Sequence, residues 1–214
     1  VRFQRWQLAV AAVLVVIIAW ALWPSRYRNV QNVDSHGANV IAFGDSLTAG
    51  FGAQPGEDYP SNLAARLGVS VINAGVSGDT TESALARLDT DVLARDPRVV
   101  IIGLGGNDFL RGVPIATTEA NLRTIIERIH AAHAMTVVLG FRFPTLGPSY
   151  ESMYARVASD EHALLVPDLL DGILGNPSLK SDEIHPNAKG YALIAERVAP
   201  PCRALLRYAD KRRR

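Results

Sequence analysis

One cysteine, Cys202, stands in a chain of 214 residues, so no intrachain disulfide can form and the redox compartment is left open. Neither sign of charge predominates: 22 Lys+Arg face 21 Asp+Glu, for a net charge of +1. Between residues 36 and 210 the count is 14 basic against 20 acidic, a balance of −6. That stretch lacks the basic footprint of a nucleic-acid-binding protein. The four basic residues from Lys211 to Arg214 read as a solvated, frayed tail, with contact to anionic lipid as the alternative. There is no internal repeat and no low-complexity segment. The glycines at 103–106 are not followed by the Lys-Ser/Thr of a phosphate-binding loop. His130 and His133 are three apart on an expected helix but have no carboxylate motif beside them. They read as surface histidines rather than a metal pair.

What the chain does have is one long apolar run. Leu8–Trp23 is 16 residues without a charge, about 24 Å as a helix and somewhat short of a bilayer core. Trp6, Trp20 and Trp23 can sit at the interfaces and complete the span. A cleaved signal peptide competes with this reading, because Ala19-Trp20-Ala21 fits the small-x-small cleavage pattern. Against cleavage, the apolar run continues through Leu22 and Trp23. Arg2 and Arg5 before it balance Arg26 and Arg28 after it, so orientation is not legible from charge. Residues 1–28 are therefore read as an uncleaved anchor, and either reading places the remainder of the chain outside the cytoplasm. Residues 29–37 are polar and read as a linker, 38–210 as one folded domain and 211–214 as the tail. The domain is read as a monomer.

After Gly37 the pattern alternates. Apolar strand candidates are Ala38–Phe43, Val69–Asn73, Val99–Leu104, Thr136–Gly140 and Ala163–Pro167. Helix-like stretches lie between and after them: Tyr59–Leu67, Thr80–Leu93, Pro114–Ala132, Ser149–Ala158 and Asn187–Tyr208. Pro200-Pro201 should kink or interrupt the last. Continuously apolar strands are covered on both faces, and strand–helix alternation implies a parallel sheet between helical layers.

Four blocks carry chemistry. Gly44-Asp45-Ser46-Leu47 ends the first strand, which delivers Ser46 to the carboxyl end of the sheet, where ligands bind. If a helix comes next, the Ser46 N–H can face a developing oxyanion. The second block is Asn73–Thr80, where Gly75 brings a bare backbone N–H near a ligand and Asp79 or Thr80 caps the next helix. Ser77 there lacks the Gly-x-Ser-x-Gly spacing of a nucleophile elbow. The third is Gly103–Asp108, in which the Asn107 carboxamide suits an oxyanion donor and Asp108 a helix cap. In the fourth, Ser181–Asn187, Asp182 and His185 are three apart. In a turn that spacing lets the carboxylate hold Nδ1–H and leaves Nε2 free for the serine proton. Glu183 reads as solvated. Phe141 and Phe143 come after the fourth strand and can wall an acyl site.

Gly44-Asp45-Ser46-Leu47, Gly75, Gly105-Gly106-Asn107-Asp108 and Asp182-x-x-His185-Pro186 together resemble the four blocks of the GDSL/SGNH hydrolases, in their usual order. Gly78-Asp79-Thr80-Thr81 and Leu110-Arg111-Gly112 are similar to the periplasmic thioesterase/lysophospholipase and arylesterase branch. The resemblance implies an α/β fold, a flavodoxin-like three-layer arrangement with a five-stranded parallel sheet. It implies a Ser46/His185/Asp182 triad and an oxyanion hole from Ser46, Gly75 and Asn107, with no cofactor or metal. Asp45, Gly106, Phe141 and Phe143 are further candidates for contact with a small-molecule or lipid acyl ester or thioester.

Overall fold

A computed structural model describes Gln7, residues 25–142 and residues 149–213. Five strands form one parallel sheet: β1 Asn39–Gly44, β2 Val71–Gly75, β3 Pro97–Gly103, β4 Met135–Leu139 and β5 Leu164–Val166. Their order is β2-β1-β3-β4-β5, that of a flavodoxin-like doubly wound sheet. The central strands are continuously apolar, and Ile41, Val100, Ile101 and Val137 are fully buried. That burial on both faces is what strand runs without alternation require.

The helices are α1 Ser25–Arg28, α2 Ser46–Ala49, α3 Tyr59–Leu67, α4 Thr81–Asp91, α5 Gly106–Leu110, α6 Ile115–Ala131, α7 Ser149–Asp160 and α8 Ala188–Arg212. α3 packs on α8, while α4 packs on α6 and α6 on α7, giving the two outer layers. Local chemistry starts them well. Asp58 caps α3 through the Ser61 N–H, and Thr80 forms a reciprocal capping box with Ser83 on α4.

Several expectations are corrected. α8 runs unbroken through Pro200 and Pro201 and on to Arg212, so Lys211 and Arg212 are helical rather than frayed. Val198, Ala199, Cys202, Leu205 and Ala209 are buried on both sides of the prolines, and this packing outweighs two missing donors. The stretch read as a linker packs on the domain. Val30 is buried, and Asn32 Nδ2 donates to the carbonyls of His130 and Ala134 at 2.9 and 3.1 Å; Tyr27, within the stretch read as the anchor, is buried as well. His130 is not a surface residue: it is 5% exposed and its Nε2 lies 2.7 Å from Thr136 Oγ1. Among the described residues no cluster of metal ligands occurs, and no helix is long and apolar enough to cross a membrane. Leu8–Trp23, read as the anchor, and Phe143 lie outside the described residues.

Candidate active site

Parallel pairing sets Gly44 of β1 between Gly75 of β2 and Gly103 of β3 in register. The three glycine-ended strands thus bring three of the four sequence blocks to one edge, at the point where the chain order reverses. Glycine is needed at 75 for space: a Cβ there would fall inside the backbone of Thr48 and Ala49.

Ser46 is the first residue of α2, so its N–H has no acceptor within the helix. Asp45 caps that helix, accepting the Leu47 N–H at 3.0 Å. Asp45 is 2% exposed, and burial pushes the pKa of its carboxyl up to about 6. The Leu47 N–H and the charge of His185 pull it partly back.

The fourth block reaches Ser46 from the loop ahead of α8. His185 Nε2 lies 3.0 Å from Ser46 Oγ, and His185 Nδ1 lies 2.7 Å from Asp182 Oδ2. Asp182 Oδ1 accepts the N–H groups of Ile184 and His185 at 2.9 and 2.7 Å, which folds the turn. Burial pushes the Asp182 carboxyl up, but hydrogen bonds from the His185 ring and these two amides outweigh it and hold the carboxyl below its ordinary value. Glu183 is exposed, as expected. A ring no sequence pattern pointed to, Phe51, lies 4.5 Å from the His185 ring at 44°. Its carbonyl accepts the Tyr191 hydroxyl at 2.7 Å, which fixes the loop after α2 against α8.

Asn107 lies in the first turn of α5. Its Nδ2 donates to the Asp79 carbonyl at 2.9 Å and to Asp45 Oδ2 at 3.3 Å. The Gly75 N–H donates to Asn73 Oδ1 at 3.0 Å, so this expected oxyanion donor is engaged by a neighbouring carboxamide. Asp108 does not cap its own helix. It crosses to α4, accepting the Thr81 N–H at 2.9 Å and the Thr81 hydroxyl at 2.5 Å.

Beside Ser46 and His185 opens a cavity of about 140 Å³. Leu47, Phe109, Phe141, Leu170, Leu174 and Ile184 line it, with Asp45, Gly106 and Asn107 at its polar side. Of the two phenylalanines expected to wall an acyl site, Phe141 is in this lining.

The GDSL-like Lipase/Acylhydrolase family matches residues 42–193, which contain all four blocks. The chain belongs to this family. It is 34% identical to Esterase TesA of Pseudomonas aeruginosa over 178 residues, 78% of this chain and 89% of that protein. It is 31% identical to Thioesterase 1/protease 1/lysophospholipase L1 of Escherichia coli, over 79% of this chain and 85% of that protein. Among solved structures, the psychrotrophic esterase EstA from Pseudoalteromonas sp., inhibited by monoethylphosphonate, superposes with a TM-score of 0.72. It is 31% identical, over 79% of this chain and 98% of that one. The resemblance seen in the four blocks therefore extends over more than three quarters of the chain, and these family members are named as esterases and thioesterases.

Proposed function

We propose that the protein hydrolyses carboxylic esters or thioesters through an acyl-enzyme on Ser46, with His185 as general base and acid and Asp182 as its orienting carboxylate. The observation that carries this is the continuous hydrogen-bonded line from Ser46 Oγ through His185 to Asp182, at 3.0 and 2.7 Å. His185 Nε2 takes the Ser46 proton as Oγ bonds to the acyl carbon, and Asp182 stabilises the imidazolium. The Ser46 N–H, the Asn107 carboxamide and the Gly75 N–H hold the tetrahedral oxyanion. Asn107 then gives up its long 3.3 Å bond to Asp45 Oδ2, and the Gly75 N–H exchanges the neutral Asn73 Oδ1 for a charged acceptor. The carbon–oxygen or carbon–sulfur bond then breaks, and the leaving group departs with the proton from Nε2. Water, deprotonated by the same nitrogen, attacks the acyl carbon and releases the acid and free Ser46.

The apolar cavity beside Ser46 supports an acyl chain as the buried part of the substrate. The names of the relatives support esters and thioesters as the class of bond. A membrane anchor, and a catalytic domain outside the cytoplasm, rest on the apolar run at residues 8–23.

The test is hydrolysis of p-nitrophenyl acetate and octanoate and of an acyl thioester by the full chain, beside Ser46→Ala. The variant should lose about 10⁴-fold or more in kcat and should no longer be labelled by a fluorophosphonate. Turnover surviving in folded Ser46→Ala would sink the reading.

A further inference from the structure

Arg87 is the hub of a network that the serine mechanism leaves unused. It lies on α4 with a side chain 16% exposed, and its guanidinium reaches four acceptors. Nε donates to Asp79 Oδ2 at 2.6 Å, and Nη1 to the Ala74 carbonyl at 3.0 Å and to Asp91 Oδ2 at 2.9 Å. Nη2 donates to the Gly44 carbonyl at 3.0 Å, and the guanidinium carbon sits 4.5 Å over the Phe43 ring. A surface ion pair one helical turn apart would account for Asp91 alone. It does not account for a cation reaching the last carbonyl of β1 and the next-to-last carbonyl of β2.

The other three acceptors share one property: each adjoins a group assigned as an oxyanion donor. The Ala74 carbonyl and the Gly75 N–H are the two ends of one planar peptide, so holding the oxygen sets the direction of the amide. The Asn73 carboxamide accepts at the other end of the same peptide, which is thus gripped on both sides. Gly44 is the last residue of β1 before Asp45 and Ser46, and its carbonyl also accepts the Val76 N–H. Asp79, the carboxylate partner, presents its own main-chain carbonyl to Asn107 Nδ2. Arg87 therefore holds the strand ends that carry the Ser46 and Gly75 N–H groups, and through Asp79 the segment whose carbonyl aims Asn107 on α5.

We propose that Arg87 is a positioning residue for the oxyanion hole: it fixes the ends of β1 and β2 and the Asp79 segment relative to one another without touching substrate. This rests on the assignment of Ser46, Gly75 and Asn107 as the donors. A planar fork with several donors is required, since a lysine ammonium on a flexible stem cannot span four acceptors set this way. A cation at the Ala74 oxygen also polarises the Gly75 N–H toward a better donor.

The experiment compares Arg87→Gln and Arg87→Lys in the full chain with Arg123→Gln as the stability control. Arg123 pairs with Glu119, Asp160 and Glu161, away from the site. The readouts are kcat and KM on p-nitrophenyl acetate and the rate of fluorophosphonate labelling, below the measured Tm of each variant. Arg87→Gln should lower kcat about 10- to 100-fold and slow labelling by a similar factor, as displacement of positioning groups does. KM should stay within about threefold, because a hole that binds only the tetrahedral state leaves ground-state binding alone. Arg87→Lys should fall between, and Arg123→Gln should keep kcat and labelling within about twofold of the parent even as Tm drops. If Arg87→Gln does not accumulate folded, Arg87→Lys carries the same comparison. The proposal is overturned if the folded Arg87 variants keep both rates within about twofold, or if their losses match those of Arg123→Gln at equal Tm. Ser46→Ala run in parallel separates the outcomes: turnover persisting there refutes the serine mechanism whatever Arg87 does.

Discussion

Asn107 shows what a single side chain contributes at this edge of the sheet. Its amide is tethered strongly to the Asp79 carbonyl at 2.9 Å and weakly to Asp45 Oδ2 at 3.3 Å. The long bond is the one that can be given up to an oxyanion, while the short one keeps the group aimed. Asn107→Ala should therefore lower kcat about 10²- to 10³-fold with little change in KM. Steady-state kinetics on one ester decide it: a rise in KM with kcat preserved would mean that Asn107 binds the ground state and not the oxyanion. Phe51 belongs to the same scale. It is half exposed yet lies against the His185 ring, so it screens the imidazole from one side.

At the scale of elements, the short helix α5 is placed by the residue just before it. Gly105 caps α5 at φ +111°, and a Cβ on it would overlap the hydroxyl of Tyr154 on α7. That hydroxyl donates to the Leu104 carbonyl at 2.8 Å, so strand end, helix start and α7 meet at one atom. Gly105→Ala should cost about 2 kcal/mol of stability by urea unfolding and lower kcat by moving Asn107. Tyr154→Phe removes the overlap together with the hydrogen bond to the Leu104 carbonyl, so Gly105→Ala should cost less in the Tyr154→Phe background than in the parent. An equal cost in both backgrounds would show that the hydroxyl is not the obstacle.

The same scale separates what was legible in the sequence from what was not. Tyr59–Leu67 is read to the residue because its caps, Asp58 and Gly68, are local chemistry. Strand spans move by a residue or two at their ends, as with Val69–Asn73 against Val71–Gly75, because pairing with β1 and not hydrophobicity sets where a strand begins. The four blocks were legible because each sits at a strand end or in one tight turn. Arg87 was not, because its acceptors on β1 and the second block come together only when the sheet forms. Pro200-Pro201 and His130 misled for a related reason: tertiary burial overrides local propensity and the surface habit of histidine. Tyr27 and Val30 give no periodic signal in so short a segment, so their burial against the domain shows only in the fold.

Over the whole molecule, two buried groups at different places in the fold oppose each other in pH. Burial raises the Asp45 carboxyl from 3.8 to about 6. The folded state then holds more protons than the unfolded chain between those values, and stability falls as pH rises through the window. Burial lowers His130 from 6.5 to about 4, with Glu161 partly opposing and His162 adding to the shift. Here the folded state holds fewer protons, and stability rises with pH through nearly the same window. Each shift corresponds to about 3 kcal/mol, so the two contributions largely cancel in the parent protein between about pH 4 and 6. Removing either uncovers the other. Asp45→Asn should gain stability by up to about 3 kcal/mol from pH 4 to pH 6.5, whereas His130→Gln should lose a similar amount over that rise. Asp182 and Glu119, held below their ordinary values, contribute a loss at lower pH that is common to all three proteins. Urea unfolding at about pH 4, 5 and 6.5 measures the slopes, and curves parallel to the parent in both variants would refute the opposition. Asp45→Asn should also be the more stable protein at neutral pH, because it removes the carboxylate whose burial destabilises the fold while keeping a side-chain oxygen to cap α2.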